Sequence, residues 1–374
     1  MSTDSIMPWY VPPGAEGIST PALLVYPERI EENVQRMLHM VGNDPLRLWP
    51  HVKTSKCRHI IERMVAHGIR RFKGATLPEL EIALQAGATD LLLAMQPSAA
   101  IAGRLLDLAA ANPSARFHAV VDDMQTLHRL EALTRKRNQT LTMWVDLDVG
   151  MHRTGIAPGP EAAALIETVA KCPTLETGGW HAYDGHLHQS SVEERRGACR
   201  EWSRAFKQWL ASTPLLKDHP LPLIAGGTPT FPMHAEASDR ICSPGTSVLW
   251  DAGYAEHFPD LAFEWACVLM GRVVSKPTPE SLCLDLGHKS VASEMPHPRL
   301  HFLNLAVDAF LGHSEEHLVV SSPEAPRTPV GTLVYAIPRH VCPTVALHQE
   351  LLAIQEEGEM VSWPVAARQR RLNF

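Results

Sequence analysis

The strongest constraint on the fold of this chain is a rhythm in which a short apolar run is followed by a longer stretch with helical spacing of apolar residues. Within residues 21–255 the rhythm supplies eight candidate strands: Ala22–Tyr26, Arg47–Val52, Arg71–Thr76, Asp90–Met95, Ala115–Val121, Leu141–Leu147, Gly178–Tyr183 and Leu221–Ala225. The middle runs are continuously apolar, which is typical of parallel strands buried on both faces. Eight strand–helix units fit a closed (β/α)8 barrel of the TIM type. A doubly wound open sheet is the alternative, but no GxGxxG turn follows the first run.

The pattern of apolar runs along the sequence changes after Gly253. Short β-rich segments then alternate with prolines and charged turns: Glu264–Ser275, Leu282–Leu286, His317–Ser321 and Gly331–Ile337. This pattern predicts a mainly antiparallel β domain over residues 256–374. The first 20 residues are rich in proline and glycine, and we expect them to join the β domain. The predicted fold class is therefore α/β, with a barrel over residues 21–255 followed by a β domain.

Composition excludes several classes of protein. Hydrophobic residues make up 45% of the 374 residues, enough for a sizeable core. No apolar run approaches the ~20 residues that span a bilayer, so we expect no membrane segment. The formal net charge of −7 argues against non-specific nucleic-acid binding. The seven cysteines include no CxxC pair, and the first residues show no secretory signal, so we expect reduced thiols in a cytoplasmic protein.

Because the active sites of such barrels lie at the carboxyl ends of the strands, the residues that close each run are the candidates for chemistry. The second run closes on Lys53. A lysine in the barrel mouth would be desolvated, which lowers its pKa and makes the amine available for Schiff-base chemistry. The alternative is a surface lysine that begins a loop.

A second candidate is Arg153, which lies between Gly150 and Gly155 after the sixth run. The glycines allow a tight turn from which the guanidinium can point inward and bind a carboxylate, phosphate or phenolate. The alternative is a structural ion pair with Asp146 or Asp148.

The seventh run closes on Tyr183, with His186 and His188 just beyond it, and so many polar rings cannot all belong to a core. Two small-residue turns follow: Gly226-Gly227-Thr228 and Ser243-Pro244-Gly245-Thr246. Bare backbone N–H groups and hydroxyls suit a phosphate. Each turn alone is weak evidence. Together with an inward lysine they indicate a phosphorylated cofactor that needs an amine partner, and pyridoxal phosphate fits that description.

The predicted β domain contains His340-Val341-Cys342. In an extended segment the first and third residues point to the same face, so His340 and Cys342 could bind one divalent metal. Two ligands are too few for a closed structural zinc site, so water or substrate would complete the shell. The alternative is a buried histidine and an inert cysteine. His317, beside Glu315, is a weaker candidate.

In combination these segments resemble a known family. The ordered set PHVKTSK, DVGMHRTG, AYDGH, AGGTPT, SPGT, LDLGHKS, SEEH and HVCPT is similar to the fold-type III pyridoxal-phosphate enzymes. More narrowly, it resembles the D-threonine aldolase and D-serine dehydratase branch, which is related to alanine racemase. The likeness runs from about Thr20 to Arg368, nearly the whole chain.

The resemblance implies specific roles. Lys53 would be the Schiff-base lysine, and Arg153 and Tyr183 would contact the cofactor ring. The phosphate would be held by Gly227, Thr228, Gly245 and Thr246. His340 and Cys342 would bind a divalent metal (Mn, Zn or Mg) beside the substrate's β-hydroxyl, with His186 and His188 as candidate bases. Family members are often homodimers, so a homodimer is implied.

The function that the resemblance implies is that of a pyridoxal-phosphate- and metal-dependent lyase of the D-threonine aldolase type. Such an enzyme cleaves D-β-hydroxy-α-amino acids to glycine and an aldehyde. The alternative is a D-serine dehydratase-like ammonia-lyase acting on D-serine or D-3-hydroxyaspartate. A racemase is less favoured, because Ser243 stands where alanine racemases carry an arginine that meets the pyridine nitrogen. Cys342 stands where D-threonine aldolases often carry aspartate.

Two other classes compete with this interpretation. A non-catalytic pyridoxal-phosphate-binding protein would resemble the barrel alone, and the further residues of the β domain argue against it. A metal-dependent barrel hydrolase without an organic cofactor would leave the two small-residue turns unexplained.

Overall fold

The computed structural model describes residues 8–214, 221–356 and 358–371. The chain forms two compact units. Among the described residues, the first unit, here the β unit, contains those up to Asn33 together with those of Val248–Ala366. The second, here the barrel unit, contains the described residues of Val34–Ser247 and those from Ala367 onward. This division differs from the one expected from the sequence, because residues 21–33 and 248–255 lie in the β unit and the described residues from Ala367 onward lie in the barrel unit.

Strands and helices are numbered along the chain. The strands are β1 Ala22–Val25, β2 Arg71–Gly74, β3 Asp90–Leu93, β4 Arg116–Val121, β5 Leu141–Leu147, β6 Leu175–Ala182, β7 Leu223–Ala225, β8 Arg240–Cys242, β9 Cys267–Ser275, β10 Ser281–Leu284, β11 Leu300–Phe302, β12 Ala309–His313, β13 Leu318–Ser321, β14 Leu333–Pro338, β15 Glu350–Ile354 and β16 Met360–Pro364. The helices are α1 Pro27–Met40, α2 Arg58–Ala66, α3 Leu77–Gln85, α4 Ala99–Ala111, α5 Met124–Arg137, α6 Pro160–Lys171, α7 Val192–Ser212, α8 Phe231–Ala235, α9 Ala252–His257 and α10 Val341–Leu347. No helix in the described ranges is both long and apolar enough to cross a bilayer.

The barrel unit is built on seven parallel strands in the order β2-β3-β4-β5-β6-β7-β8. The segment Leu48–His51 lies between the two edge strands and makes one parallel bridge to each, from Leu48 to Cys242 and from His51 to Lys73. Backbone hydrogen bonds from Trp49 N to Cys242 O (2.8 Å) and from Lys73 N to Pro50 O (3.0 Å) support these bridges. The sheet therefore closes, and the barrel predicted from the sequence is confirmed.

One predicted barrel strand is wrong. β1, expected as the first strand of the barrel, pairs antiparallel with β9 and parallel with β15 in the β unit. The barrel position is taken instead by β8, which sequence reasoning did not identify. A short apolar run before a helix looks the same whichever sheet it joins, and a three-residue strand that begins with arginine gives almost no pattern.

The barrel interior has an apolar layer below a polar one. The apolar layer consists of Trp49, Leu92, Val120, Trp144 and Ile224. Side chains alternate along a strand, so Asp146 points to the same side of β5 as Trp144. Asp146 lies two residues nearer the carboxyl end of the strand. Asp146, Lys73 and His181 are all buried. These polar groups lie towards the end of the strands where a barrel carries its site.

The β unit is a nine-stranded sheet with the main order β12-β13-β10-β9-β1-β15-β16, in which β14 also pairs with β9 and β11. Only the β1–β15 pair among these strands is parallel, so the mainly antiparallel character predicted from the sequence is confirmed. Its core includes Leu24, Val268, Met270 and Ile337. Tyr26 Oη donates a 2.6 Å hydrogen bond to Tyr10 O, so the described N-terminal residues pack on this unit.

Candidate active site

Lys53 follows directly on the segment that closes the barrel. Its backbone N–H donates to His51 Nδ1 (3.2 Å), and its side chain is exposed. Lys53 Nζ lies 6.0 Å from the centroid of the Tyr183 ring. The sequence predicted a desolvated lysine, but the Lys53 side chain is exposed in the structure.

Arg153 also lies at the Tyr183 ring, with its guanidinium carbon 5.0 Å from the ring centroid. The two carboxylates that could have held it in a structural ion pair have other partners. Asp148 accepts hydrogen bonds from the backbone N–H groups of Gly150 (2.9 Å) and His152 (3.0 Å). Asp146 contacts His181 instead. The turn therefore presents Arg153 to Tyr183, so that Lys53, Tyr183 and Arg153 meet at one place.

The two small-residue turns also meet. Thr228 Oγ1 accepts hydrogen bonds from the backbone N–H groups of Gly245 (3.1 Å) and Thr246 (3.1 Å). A side chain at Gly227 would not fit, because a Cβ there would lie 2.8 Å from Tyr183 Cε2. The backbone can thus approach a ligand closely beside Tyr183.

Pyridoxal phosphate fits these residues on chemical grounds. An exposed amine, an aromatic ring with a guanidinium over it, and the two joined turns with their threonine hydroxyls, here called the cradle, lie together on the barrel unit. They match the aldehyde, ring and phosphate of the cofactor.

A buried hydrogen-bond network holds the first turn. Asp184 accepts from Thr230 Oγ1 (2.7 Å), His234 Nε2 (2.7 Å) and Trp202 Nε1 (3.3 Å). Thr230 Oγ1 in turn accepts from Gly227 N (3.3 Å). The pKa of Asp184 would be raised by burial alone, but His234 and the other donors hold it below its ordinary value. Sequence reasoning missed this network, whose members are spread over three segments.

Asp184, His234 and Cys199 place ligand atoms within 4.8 Å of one another, and among the described residues no other such trio occurs. Their hydrogen bonds argue against a metal there. Arg240 NH1 donates to His234 Nδ1 (2.9 Å), so His234 Nε2 must carry the proton that it shares with Asp184. Burial, together with the charge of Asp184, raises the pKa of the Cys199 thiol. We therefore assign this cluster to positioning of the turn.

A buried relay, also missed from the sequence, lies in the polar layer of the barrel. Lys73 Nζ is 3.1 Å from His181 Nε2, and His181 Nδ1 is 2.6 Å from Asp146 Oδ1. An ammonium at Lys73 donates to Nε2, which leaves the ring proton on Nδ1 facing the carboxylate. Lys73 has only 3% of its surface exposed. A lysine in the middle of a four-residue strand could have faced either side of the sheet, so no sequence pattern indicated that Lys73 is buried.

The environment of Lys73 disfavours its charge. Burial is the main cause, and the positive charge of Lys53 adds to it, so that the pKa of Lys73 falls from 10.5 to about 7 despite the opposing charges of Asp146 and Asp184. Near neutral pH the barrel mouth therefore contains a lysine that is partly deprotonated.

Lys73→Met is expected to change the pH dependence of stability in the cofactor-free protein. Between about pH 7 and 10.5 the unfolded chain binds a proton on Lys73 that the folded chain does not, so wild-type stability falls as pH falls through this range and levels off below it. Methionine does not titrate, so the variant lacks this pH-dependent loss of stability. The free energy of unfolding of the variant relative to wild type should therefore increase by ~1.4 kcal/mol per pH unit as pH is lowered from about 9 to about 7.

Urea unfolding at several pH values measures this difference. The slope is unaffected by any constant loss from leaving His181 Nε2 without a donor. Lys171→Met, which removes an exposed lysine from α6, serves as the control and should give no slope. A pH-independent difference for Lys73→Met would contradict the assignment.

In the β unit, His340 immediately precedes α10 and Cys342 lies in the first turn of that helix. The extended segment expected here is therefore wrong beyond His340, which keeps extended backbone angles (φ −132°, ψ 104°). His340 Nδ1 lies 2.6 Å from Glu294 Oε1. Burial lowers the pKa of His340, but the Cys342 thiol hydrogen-bonded to it, Glu294 and the nearby Asp251 outweigh burial and raise that pKa to about 9.

This donor set suits a divalent metal. An imidazole and a thiol in contact, with negative charge around them, are ligands of the kind that zinc and similar ions prefer. No third histidine, cysteine or carboxylate ligand atom lies within 4.8 Å of both in the part of the chain that the structure describes. Water or substrate would therefore complete the coordination shell.

The candidate bases are placed differently. His186 packs against the turn after β5, where a Cβ on Gly150 would lie 2.8 Å from its Nε2, and its buried Nδ1 has no hydrogen-bond partner among the described residues. His188 is exposed. His317 lies in the turn between β12 and β13, where its carbonyl accepts from Ser314 N (2.8 Å). A role for each remains a prediction.

The chain is similar to known proteins over most of its length. The protein-family model "Alanine racemase, N-terminal domain" matches residues 25–249, and "Putative serine dehydratase domain" matches residues 266–354. A D-threonine aldolase of Arthrobacter sp is 26% identical, with 98% of this chain and 99% of the relative covered. A D-threo-3-hydroxyaspartate dehydratase of Delftia sp. is 22% identical over 92% of this chain and 97% of the relative.

A solved structure has a similar fold. The crystal structure of D-threonine aldolase from Filomicrobium marinum superposes with a TM-score of 0.82 and 25% identity, covering 94% of this chain and 96% of that one. The family predicted from the motifs is confirmed by the family model, which matches more than half of the sequence. This chain belongs to the family defined by the alanine racemase N-terminal domain.

Proposed function

We propose that this protein is a pyridoxal-phosphate- and divalent-metal-dependent lyase of the D-threonine aldolase type, which cleaves D-β-hydroxy-α-amino acids to glycine and an aldehyde. The observation that carries the proposal is the meeting of Lys53, Arg153 and Tyr183 at one end of a barrel that also joins the two small-residue turns. The full-length likeness to the Arthrobacter D-threonine aldolase supports the same reaction.

In this proposal the barrel unit holds the cofactor. Lys53 would bind it covalently through the amine, and Arg153 and Tyr183 would contact its ring. The phosphate would be held by Gly227, Thr228, Gly245 and Thr246. Pyridoxal phosphate, when bound, supplies an acceptor for the electrons released when a bond to the substrate Cα breaks.

The β unit would hold the metal through His340 and Cys342. A divalent metal at a β-hydroxyl acts as a Lewis acid and lowers the pKa of that hydroxyl. His186 or His188 would then take the hydroxyl proton, which prepares the Cα–Cβ bond for cleavage. We also expect a homodimer, as the family resemblance implies.

A dehydratase is the second candidate, because two observations favour it. Cys342 is a softer ligand than the aspartate often found in D-threonine aldolases. The Delftia relative is named a D-threo-3-hydroxyaspartate dehydratase. A racemase is less favoured, since Ser243 is buried and donates to Trp49 O (2.9 Å), which puts no cation at that position of the turn.

The proposal is tested by supplying the purified protein with pyridoxal phosphate and a divalent metal and comparing D-threonine with L-threonine. We expect glycine to form from the D-isomer alone, at a rate that depends on both additions. Equal consumption of the two isomers, or none of either, would refute the proposal.

A further inference from the structure

A cavity of about 540 Å³ lies alongside α7 in the barrel unit. None of its lining residues is among those assigned to the cofactor, although Cys199 and His234 belong to the cluster that positions the first turn. Five cationic side chains line the cavity: Arg196, Arg200, Arg204, Lys207 and Arg240. Glu236 is the one carboxylate among its described lining residues. The cavity is therefore strongly basic in a chain whose formal net charge is −7.

Nearby carboxylates form ion pairs with some of these cationic side chains but not with others. Arg196 pairs with Glu193 (2.6 Å) and Glu236 (3.0 Å), and Lys207 pairs with Asp239 (3.0 Å). The side chains of Arg200 and Arg204 make no ion pair or hydrogen bond within the described ranges.

The spacing along α7 adds repulsion. Arg196, Arg200 and Arg204 follow one another at four-residue intervals, so their charges lie on one face of the helix. Like charges at this spacing destabilise a helix. An anion bound in the cavity would remove that repulsion.

Arg240 supplies an independent observation. Its side chain is buried, with 4% of the residue exposed, and its guanidinium carbon lies 5.0 Å from the centroid of the Trp202 ring. Arg240 Nε has no hydrogen-bond partner among the described residues, and its ion-pair contact to Asp239 Oδ1 is long, at 3.8 Å. Arg240 also lines the cavity, so its buried guanidinium adds a fixed positive charge to those of the exposed arginines.

We propose that this cavity is a binding site for a small phosphate-bearing molecule, distinct from the cradle assigned to the cofactor phosphate. Guanidinium groups bind both phosphate and carboxylate oxygens through paired, charge-assisted hydrogen bonds. Five cationic side chains attract a doubly charged phosphate more strongly than a singly charged carboxylate, so the site favours phosphate. The concave shape and the acidic charge of the whole chain disfavour a long polyanion such as RNA. Nothing in this site depends on the identity of the reaction.

Calorimetric titration of inorganic phosphate tests the site. The protein is first loaded with pyridoxal phosphate and then freed of the excess, so that the cofactor cradle does not compete and no free cofactor occupies the cavity. We expect one saturable site in wild type and a roughly tenfold weaker one in the double variant Arg200→Gln/Arg204→Gln. Both residues are exposed, and each single variant should give a partial loss if the double variant folds poorly.

The matched control is Arg129→Gln/Lys136→Gln on α5, which changes the net charge by the same amount at another cavity of the barrel unit. Phosphate affinity should be unchanged in this variant. Absence of binding in wild type, equal weakening in both double variants, or full affinity in Arg200→Gln/Arg204→Gln would each overturn the proposal. Binding of RNA in place of phosphate, lost in the same variant, would also overturn it.

Discussion

Lys53→Ala is expected to abolish both the visible absorbance of bound pyridoxal phosphate and the turnover of D-threonine. That absorbance arises when the cofactor is joined covalently to a lysine amine. Lys53 is the exposed lysine at the Tyr183 ring, at the end of the segment that closes the barrel. Without it the cofactor would have only non-covalent contacts to the cradle, and no amine for the substrate to displace.

The neighbouring Lys73 makes this experiment informative. Its amine is partly deprotonated near neutral pH, but it is buried and engaged with His181. We therefore expect no covalent attachment to Lys73 in the Lys53→Ala variant. Lys171→Ala, on the outer helix α6, is the control and should keep full absorbance. An unchanged spectrum in Lys53→Ala would refute the assignment, and its loss only after a further Lys73→Met change would move the attachment to Lys73.

Loss of the metal is expected to have the second-largest effect. Removal of divalent ions with a chelator, or His340→Ala or Cys342→Ser, should reduce turnover by about 10²–10³-fold. This range follows because Lewis-acid stabilisation is worth several kcal/mol and each ~1.4 kcal/mol is tenfold in rate. The visible absorbance should persist, since the residues assigned to the cofactor belong to the barrel unit and the metal ligands to the β unit.

Elemental analysis of the variants separates the two possible metal sites. We expect the bound metal to be lost in His340→Ala and Cys342→Ser, and kept in Cys172→Ser, which changes a partly buried thiol at the end of α6. Metal that survives the first two variants but is lost in Cys199→Ser would assign it to the Asp184 cluster. Turnover by a verified metal-free preparation would contradict a role for metal in either place.

The sequence predicted the barrel because buried parallel strands give a distinctive pattern of continuous apolar runs, and it predicted Lys53 because the sites of such barrels lie at the strand ends. The sequence pattern assigned β1 to the wrong sheet, because a short apolar run looks the same whether the strand pairs with an antiparallel or a parallel neighbour. It missed β8, whose three residues carry no pattern at all.

Other features of the site depend on three-dimensional contacts that no local pattern encodes. The Lys73–His181–Asp146 relay joins residues on three different strands, and each is an ordinary strand residue until the barrel closes. The network around Asp184 likewise depends on Arg240, which lies well after Asp184 in the sequence. Arg240 fixes the tautomer of His234. Arg153 shows the reverse case. The sequence alone allowed an ion pair between Arg153 and Asp146 or Asp148, but both carboxylates contact other groups in the structure. Arg153 lies at the Tyr183 ring instead.

The most direct test of the proposed reaction is the identity of the products formed from D-threonine by the protein supplied with pyridoxal phosphate and a divalent metal. A retro-aldol cleavage gives glycine and acetaldehyde in equal amounts, because one Cα–Cβ bond breaks and no nitrogen is lost. We expect these two products, with no ammonia. A 2-oxo acid and ammonia in equal amounts, with no glycine, would contradict the aldolase assignment and establish a dehydratase.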